Sequence, residues 1–278
     1  MPIPDAVAAL VEQLRRARIF DLEQPRFVGA PTAPMHWPGF VYGLHRRHEA
    51  GREERRTSAS GMLTMADHSG THIDALCHQA EELRMFGGVV ATPEVQTSAG
   101  FTRLGVETID PLLRPGKLLD VAGHAGADRL PDGYGVSAAD LEATAAAQGV
   151  AVDPGDVVLV RTGNALAWED PDTYLRGPGV AADGSRWLGG RGAVAVGADN
   201  VAWDVLGAVD EELGTLPGHV ELTVRRGVYI VENLRLEELA AARAHRFLFV
   251  CLPLKLRGVT GSPVRPLAVV PAAAGERP

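Results

Sequence analysis

Three histidines and two aspartates fall within one short segment of the sequence, residues 67–78. On an α-helix, Asp74 would point about 200° away from His72, so the two side chains could not share a ligand. In an extended chain, residues 68, 72, 74 and 78 have the same parity, and their side chains point to one face. The segment is therefore predicted to contain a strand with its ionisable groups on one side.

A straight strand would not bring these groups close enough. It would hold His68 and His72 about 13 Å apart, which is too far for two ligands of one ion. The backbone is predicted to bend at Gly70, because glycine adopts conformations that side chains forbid. Apolar neighbours indicate burial, and burying unpaired imidazoles and carboxylates costs free energy that a cation would remove. The alternative is an exposed polar loop.

This segment resembles the signature His-x-Gly-Thr-His-x-Asp-x-Pro-x-His of the cyclase family of metal-dependent hydrolases, which includes bacterial kynurenine formamidase and isatin hydrolase. One position departs from the signature, since Leu76 replaces the proline. A second signature follows, a histidine at His219 and then a strand that ends in Glu232-Asn233-Leu234. Less specific family-like segments lie at residues 20–22, 155–163 and 196–199.

The resemblance implies a role for each matching residue. His68, His72, Asp74, His219 and Glu232 would bind the metal, with Asp74 able to bridge to a second ion. His78 would be the general acid and base. Nitrogen and oxygen ligands without thiolate favour zinc, manganese or iron over a soft ion. We therefore expect one or two divalent ions, zinc or manganese. For Glu232, at the end of an apolar strand, a salt bridge to Arg235 is the alternative.

The reaction expected from this site is hydrolysis of an amide or lactam C–N bond in a small aromatic substrate by metal-activated water. His78, with an ordinary pKa of about 6.5, would transfer the proton from the water to the leaving nitrogen. Two alternatives stay open: lactone opening or a cyclisation on the same scaffold, and a metal-dependent ligand-binding protein without turnover. An unligated imidazole beside the ion argues against a pure binding protein.

Composition excludes several other classes of protein. The chain has 278 residues, a formal charge of −8 and 46% hydrophobic residues, as is typical of one large globular domain or two closely packed ones. The negative charge disfavours nucleic acids and acidic membranes as partners. Without an apolar run of about 18 residues or a signal peptide, a cytoplasmic protein is expected. In that compartment Cys77 and Cys251 are expected to stay free thiols.

The N-terminal part has an amphipathic pattern and then a proline-rich one. A helix is predicted over residues 5–17, followed by a loop over residues 20–43. In that loop Trp37 and Phe40 are candidate substrate contacts, although packing onto the core is an equal alternative. The mixed charges of residues 45–56 predict a solvated or hairpin surface. Asp67 and Asp199 are candidates for orienting a ligating imidazole, or else turn and cap residues.

Further elements are predicted along the rest of the chain. Ser137 and Asp140 form a capping-box pattern for a helix that ends at Gly149. Strands are predicted at residues 157–160, 193–196, 228–232 and 247–254, a helix at 236–244 and a disordered tail after residue 271. This irregular alternation predicts a mixed α/β fold. The family resemblance implies a β-rich swivelling β/β/α architecture over residues 1–278 and a homodimer or homotetramer.

Overall fold

The computed structural model describes residues 5–51 and 55–271. Within these residues, a curled nine-stranded mixed sheet forms the centre of the molecule, and helices pack on both of its faces. The tail after residue 271, for which disorder is predicted, lies outside the described residues, as do residues 52–54 of the charged run.

The strands of the described residues are, in chain order, β1 (Arg18–Asp21), β2 (Phe40–Arg46), β3 (Ser60–Met65), β4 (His72–Asp74), β5 (Gln96–Thr97), β6 (Gly100–Phe101), β7 (Leu112–Asp120), β8 (Gly135–Val136), β9 (Val157–Arg161), β10 (Gly179–Val180), β11 (Ala195–Ala198), β12 (Val209–Asp210), β13 (Gly214–Thr215), β14 (Tyr229–Glu232), β15 (Arg246–Cys251), β16 (Gly261–Pro263) and β17 (Leu267–Val270). The α-helices are α1 (Asp5–Arg16), α2 (Val121–His124), α3 (Ala138–Gln148), α4 (Pro171–Leu175), α5 (Ala182–Gly190), α6 (Pro217–His219) and α7 (Glu237–Ala241). Short 3-10 turns lie at Pro34–His36, Phe86–Gly88, Val106–Thr108 and Asn164–Ala167, and a π-helical turn lies at Val220–Val224.

The central sheet has the strand order β1-β17-β15-β7-β9-β11-β14-β4-β16. Its middle strands β7, β9, β11 and β14 run parallel, and the strands on either side pair antiparallel. Parallel strands are normally covered on both faces and are apolar along their whole length. Strand β9 fits this description, because each of its residues is buried.

Alternate residues of β9 contribute to two separate cores. Leu159 packs into the core that contains Phe249 of β15. Val158 and Val160 point to the other face and pack into the core that contains Leu141 of α3. Full burial of such a side chain stabilises the fold by about 1.5 to 3 kcal/mol. The sheet is therefore a rigid base for residues at the ends of its strands.

Two predicted helices are confirmed. The first is α1, and the second is α3, which has both hydrogen bonds of the predicted capping box between Ser137 and Asp140. Helix α3 ends at Gly149, which has a φ of +62°. This left-handed conformation costs glycine little and ends the helix.

Several predicted boundaries were wrong by a few residues. The strands expected at residues 193–196 and 247–254 are β11 and β15, and the helix expected at residues 236–244 is the shorter α7. Strand β11 begins at Ala195 because this residue pairs with both Val157 and Tyr229. Pairing partners far away in the sequence therefore set these limits.

The loop predicted over residues 20–43 was wrong at both ends. Strand β1 extends to Asp21, and the hairpin strand β2 begins at Phe40. Phe20 pairs with Ala268 near the other end of the chain, so local composition could not reveal this strand. What is left between the two strands is an irregular segment with one 3-10 turn at Pro34–His36.

Two elements leave apolar side chains exposed. Helix α1 contains no buried residue, and Leu10 on its apolar stripe is 54% exposed. The β2–β3 hairpin also lacks a buried residue, although Tyr42 pairs with Leu63 across it.

None of the helices in the described residues has the length and apolar character needed to cross a membrane. The homodimer or homotetramer implied by the family resemblance stays a prediction.

Candidate metal centre

Strand pairing brings the two sequence signatures together. His72 and Asp74 lie on β4, and Glu232 is the last residue of β14. These strands are antiparallel neighbours, and Glu232 is directly opposite His72. His219 ends α6, and its ring nitrogen Nε2 lies 3.2 Å from Oε1 of Glu232. The early histidine cluster and the late Glu-Asn-Leu strand therefore converge on one buried point.

The predicted bend at Gly70 is confirmed. Gly70 has a φ of +60°, which favours glycine. The guanidinium of Arg26 donates to the carbonyl oxygens of Ser69 and Thr71 on either side, and a Cβ on Gly70 would collide with that guanidinium. His68 consequently lies in a turn before β4 and not in the strand itself.

Hydrogen bonds fix which ring nitrogen of two histidines faces the cluster. Nδ1 of His72 lies 2.8 Å from the carbonyl oxygen of Gly70, which can only accept, so Nδ1 carries a proton. Nδ1 of His219 donates in the same way to Oδ2 of Asp204 at 2.7 Å. In a neutral ring the other nitrogen is then an acceptor. Nε2 of each ring therefore presents a lone pair to the carboxylates of β4 and β14.

The third imidazole is held by a chain of two hydrogen bonds. The single hydroxyl proton of Thr260 is donated to Asp67 at 2.7 Å. The Thr260 oxygen therefore accepts from Nε2 of His68 at 2.9 Å. Nδ1 of His68 is then left facing Oδ1 of Asp74 at 2.8 Å. Two acceptors at this distance repel each other unless a proton or a cation lies between them. Asp67, a predicted orienting residue, thus acts on His68 through Thr260.

The inward-facing atoms fit the ligand set of a cation. Nε2 of His72 is 3.2 Å from Glu232 and 3.5 Å from Asp74, and Nε2 of His219 is 3.3 Å from Asp74. Ligand atoms about 2.1 Å from a shared ion are about 3.0 to 3.4 Å apart. His72 Nε2, Asp74 Oδ2 and Glu232 Oε1 are buried without a hydrogen-bond partner. Together these residues suggest a divalent metal.

The same facing groups shift each other's pKa. Burial alone would lower the pKa of His219, but the carboxylates of Asp204, Asp74 and Glu232 hold it well above its usual value. Burial alone would raise the pKa of Asp74, but the imidazoles around it, with His78 the strongest, hold it well below its usual value. Protons on the imidazoles thus occupy the positions that a cation would take, and metal and protons compete for this site.

His78 faces the cluster but is not held by it. The turn before it is closed by a hydrogen bond from its own N–H to the carbonyl oxygen of Ala75 at 2.9 Å. Leu76 occupies the turn position that proline favours, so the turn forms without the proline. The ring stacks on His68 with centroids 3.8 Å apart. Burial lowers the pKa of His78 to about 3, below the ordinary value expected from sequence, so this imidazole is neutral at physiological pH.

Two residues of the site were missed in the sequence. Asp204 orients His219 and is only 1% exposed, but nothing in its local sequence marks it. His36 lies with its ring centroid 4.8 Å from that of His68 and 6.1 Å from that of His78. The sequence offered one signal, since His36 adjoins Trp37, a predicted substrate contact.

Two alternatives from the sequence are answered by contacts. Asp199 accepts hydrogen bonds from the backbone N–H groups of Thr162 and Gly163 and does not orient an imidazole, so the turn-residue reading is right. Arg235 pairs with Glu238, not with Glu232. Burial raises the pKa of the Cys77 thiol to about 12, which opposes a nucleophilic thiolate.

The two candidate substrate contacts differ in burial. The side chain of Trp37 is 76% exposed. Phe40 is half-buried and opens the hairpin strand β2, opposite Met65. Their roles stay predictions.

Comparison with known proteins identifies relatives over most of the chain. A family model described as putative cyclase matches residues 19–205. Cyclase-like protein 2 of Oryza sativa subsp. japonica is 30% identical over 208 residues, which cover 73% of this chain and 62% of the rice protein. The kynurenine formamidase of Sphingopyxis alaskensis is 27% identical over 250 residues, which cover 90% of this chain and 96% of that enzyme.

Solved structures confirm the predicted architecture. A crystal structure described as a novel cyclase superimposes with a TM-score of 0.81 at 28% identity, covering 96% of this chain and 91% of that one. An isatin hydrolase bound to the product analogue thioisatinate superimposes with a TM-score of 0.73 at 23% identity, covering 98% of this chain and 100% of the other. The second likeness shows the fold alone.

Proposed function

Because the chain belongs to the cyclase family, we propose that it is a metal-dependent hydrolase that cleaves the amide or lactam C–N bond of a small aromatic substrate. A kynurenine formamidase among the relatives and an isatin hydrolase among the structural neighbours support a reaction of this class. The residues that carry the chemistry in this chain support it independently.

The observation that carries the proposal is the direction of three ring nitrogens. His68, His72 and His219 each have an outer nitrogen, which points away from the cluster, and an inner nitrogen, which faces it. The outer nitrogens, Nε2 of His68 and Nδ1 of His72 and His219, are held as hydrogen-bond donors, and each inner nitrogen faces a buried carboxylate. Each of these contacts needs a proton or a cation between the nitrogen and the carboxylate, and a divalent cation would take the place of the protons. Holding the outer nitrogen of an imidazole in this way is typical of metal-ligating histidines.

Five residues would hold the ion: His68, His72, Asp74, His219 and Glu232. Asp74 would be able to bridge to a second ion, because it faces both His68 and His219. Nitrogen and oxygen donors suit zinc or manganese. When bound, such an ion polarises the scissile carbonyl and lowers the pKa of a coordinated water toward neutrality.

His78 would move the proton. Its neutral imidazole accepts a proton from the attacking water and delivers it to the leaving nitrogen as the C–N bond breaks. The products are a carboxylate and an amine. Because burial disfavours the charged imidazolium, the proton is passed on readily. General acid–base catalysis of this kind contributes about 10²- to 10⁴-fold to the rate.

The proposal is tested with protein that has been stripped by a chelator and reloaded with zinc or manganese. We expect the loaded protein, and not the stripped one, to hydrolyse N-formylkynurenine or isatin. His78→Ala should lower kcat by about 10²- to 10⁴-fold while elemental analysis finds the same bound metal. Glu232→Gln should weaken metal binding at least about tenfold, because it removes a charged ligand.

A matched control is His124→Ala, which removes an exposed histidine on α2 and should change neither metal content nor rate. If His78→Ala behaves like this control, His78 has no part in the reaction. Full metal binding by Glu232→Gln would contradict the proposed ligand set. Loaded protein that binds these substrates but does not convert them would instead be a ligand-binding protein.

A further inference from the structure

His36 lies at the site on an anchored turn. It is the last residue of the Pro34–His36 turn, and its N–H donates to the carbonyl oxygen of Ala33 at 2.8 Å. Gly39 N–H donates to the His36 carbonyl oxygen at 3.1 Å, and Ala66 N–H donates to the Gly39 carbonyl oxygen at 3.0 Å. The turn is thereby joined to the chain just before Asp67. The position of His36 beside the cluster is thus set by backbone hydrogen bonds.

The ring of His36 differs from the ligating rings in having no partner. Among the residues that the structure describes, no side chain or carbonyl accepts a hydrogen bond from its imidazole. The ring is half-buried. His78 is alike in this respect, so the site contains two free imidazoles besides the three that are fixed.

An ion shared by His36, His68 and His78 is the first role to consider, because one ligand atom from each lies within 4.8 Å of the others. The contacts that His68 already makes argue against such an ion. Both nitrogens of His68 are already used, Nε2 as the donor to Thr260 and Nδ1 toward Asp74. A neutral imidazole has one lone pair, so His68 cannot serve a second ion without breaking these contacts.

The two free imidazoles lie close enough to contact the same bound molecule. One nitrogen of His36 and one of His78 lie within 4.8 Å of each other. Two nitrogens that each bond a shared oxygen at about 2.8 Å can be up to about 5.6 Å apart. The separation therefore allows the reacting group of one bound molecule to contact both rings.

We propose that His36 is a catalytic residue that donates a hydrogen bond to the oxygen of the scissile acyl group, beside the water that His78 deprotonates. The assignment rests on the proposed hydrolase function. The acyl oxygen gains negative charge as water adds to the carbon, so a donor at His36 stabilises the transition state more than the substrate. It also binds the carboxylate product.

The test compares His36→Leu, which removes the donor, with His36→Gln, which keeps an N–H donor. We expect His36→Leu to lower kcat/KM about 10²-fold, as the loss of one oxyanion donor does, mainly through kcat. His36→Gln should recover at least about tenfold of this loss. Titration calorimetry of the metal-loaded proteins with isatinate and with formate should show weaker binding by His36→Leu, with unchanged metal content. His124→Leu is the matched control.

Two results would overturn the role of His36. Loss of bound metal from His36→Leu would make His36 a ligand. If His36→Leu keeps rates and isatinate affinity within about twofold of the wild type, under assay conditions in which His78→Ala is inactive, His36 is a packing residue. Failure of the hydrolase proposal looks different, because the metal-loaded wild-type protein itself would then not turn over the substrates.

Discussion

At the residue scale, the carbonyl oxygen of Gly70 joins the two sequence signatures. It accepts from Nδ1 of His72 at 2.8 Å and from the side-chain amide of Asn233 at 3.0 Å. The amide oxygen of Asn233 accepts in turn from the hydroxyl of Tyr174 at 2.9 Å. Asn233 directly follows Glu232, so these bonds hold two proposed ligands, His72 on β4 and Glu232 on β14, in place relative to each other. The asparagine of the Glu-Asn-Leu signature therefore has a structural role, since it links the end of β14 to the turn at Gly70.

Asp204→Asn tests the positioning of His219. The carboxylate accepts from Nδ1 of His219 and from the N–H of Gly218 at 2.6 Å. The amide keeps the shape but removes the charge that orients the imidazole. We expect metal affinity, measured by competition with a chromogenic chelator, to fall about 10- to 100-fold. Asp210→Asn is the control, because Asp210 accepts from backbone N–H groups of a turn and pairs with Arg186, not with an imidazole. Equal affinities of the two variants would exclude this role.

At the scale of elements, Arg26 clamps the turn that shapes the histidine signature. Its guanidinium joins Glu23 at 2.9 Å and reaches the carbonyl oxygens on both sides of Gly70. The side chain of Arg26 is only 12% exposed. A planar guanidinium can make these bonds together, whereas a lysine ammonium acts as a point charge.

Arg26→Lys should therefore loosen this turn. We expect a loss of about 1 to 3 kcal/mol in the free energy of unfolding, the usual cost of unsatisfied buried partners, and at least about threefold weaker metal binding. Urea denaturation and chelator competition measure the two effects. Arg265→Lys serves as the comparison, because Arg265 also pairs with a carboxylate, that of Asp21, but is 70% exposed. If Arg26→Lys and Arg265→Lys behave alike, the clamp does not position the site.

Elements with local signals could be predicted from the sequence, and elements defined by distant partners could not. The capping box of Ser137, the bend at Gly70 and the strand that ends at Glu232 are all local patterns, and each is found where it was expected. The pairing of Phe20 with Ala268 has no local pattern. The same limit applies to the site, since Asp204 reaches His219 only through the folding of the chain between them.

At the scale of the whole molecule, the proposed ligands join elements that are far apart in the sequence, so metal binding should stabilise the fold. In stripped protein, His72 and His219 have raised pKa values, so their contribution to stability is present below about pH 6.5, the unfolded value, and is lost as pH rises through the folded pKa. Asp74 and Glu232 have lowered pKa values and contribute above their unfolded values of about 4. Metal replaces the imidazole protons.

We therefore expect the metal-induced rise in Tm to grow as pH is raised from about 6 to 8. At 100-fold excess over Kd, the ion should add about 2.7 kcal/mol. Thermal unfolding of stripped and reloaded protein at several pH values measures this. A Tm difference that is independent of pH would mean that metal does not compete with these imidazole protons.

The split of the ligand set between residues 68–74 and 219–232 orders events during synthesis. At about 5 to 20 residues per second, the ribosome needs about 10 to 30 s to reach Glu232 after His72 has been added. In that interval the nascent chain carries an incomplete cage that cannot yet retain its ion. If these residues hold the ion as proposed, metal loading follows translation of the last ligand, Glu232.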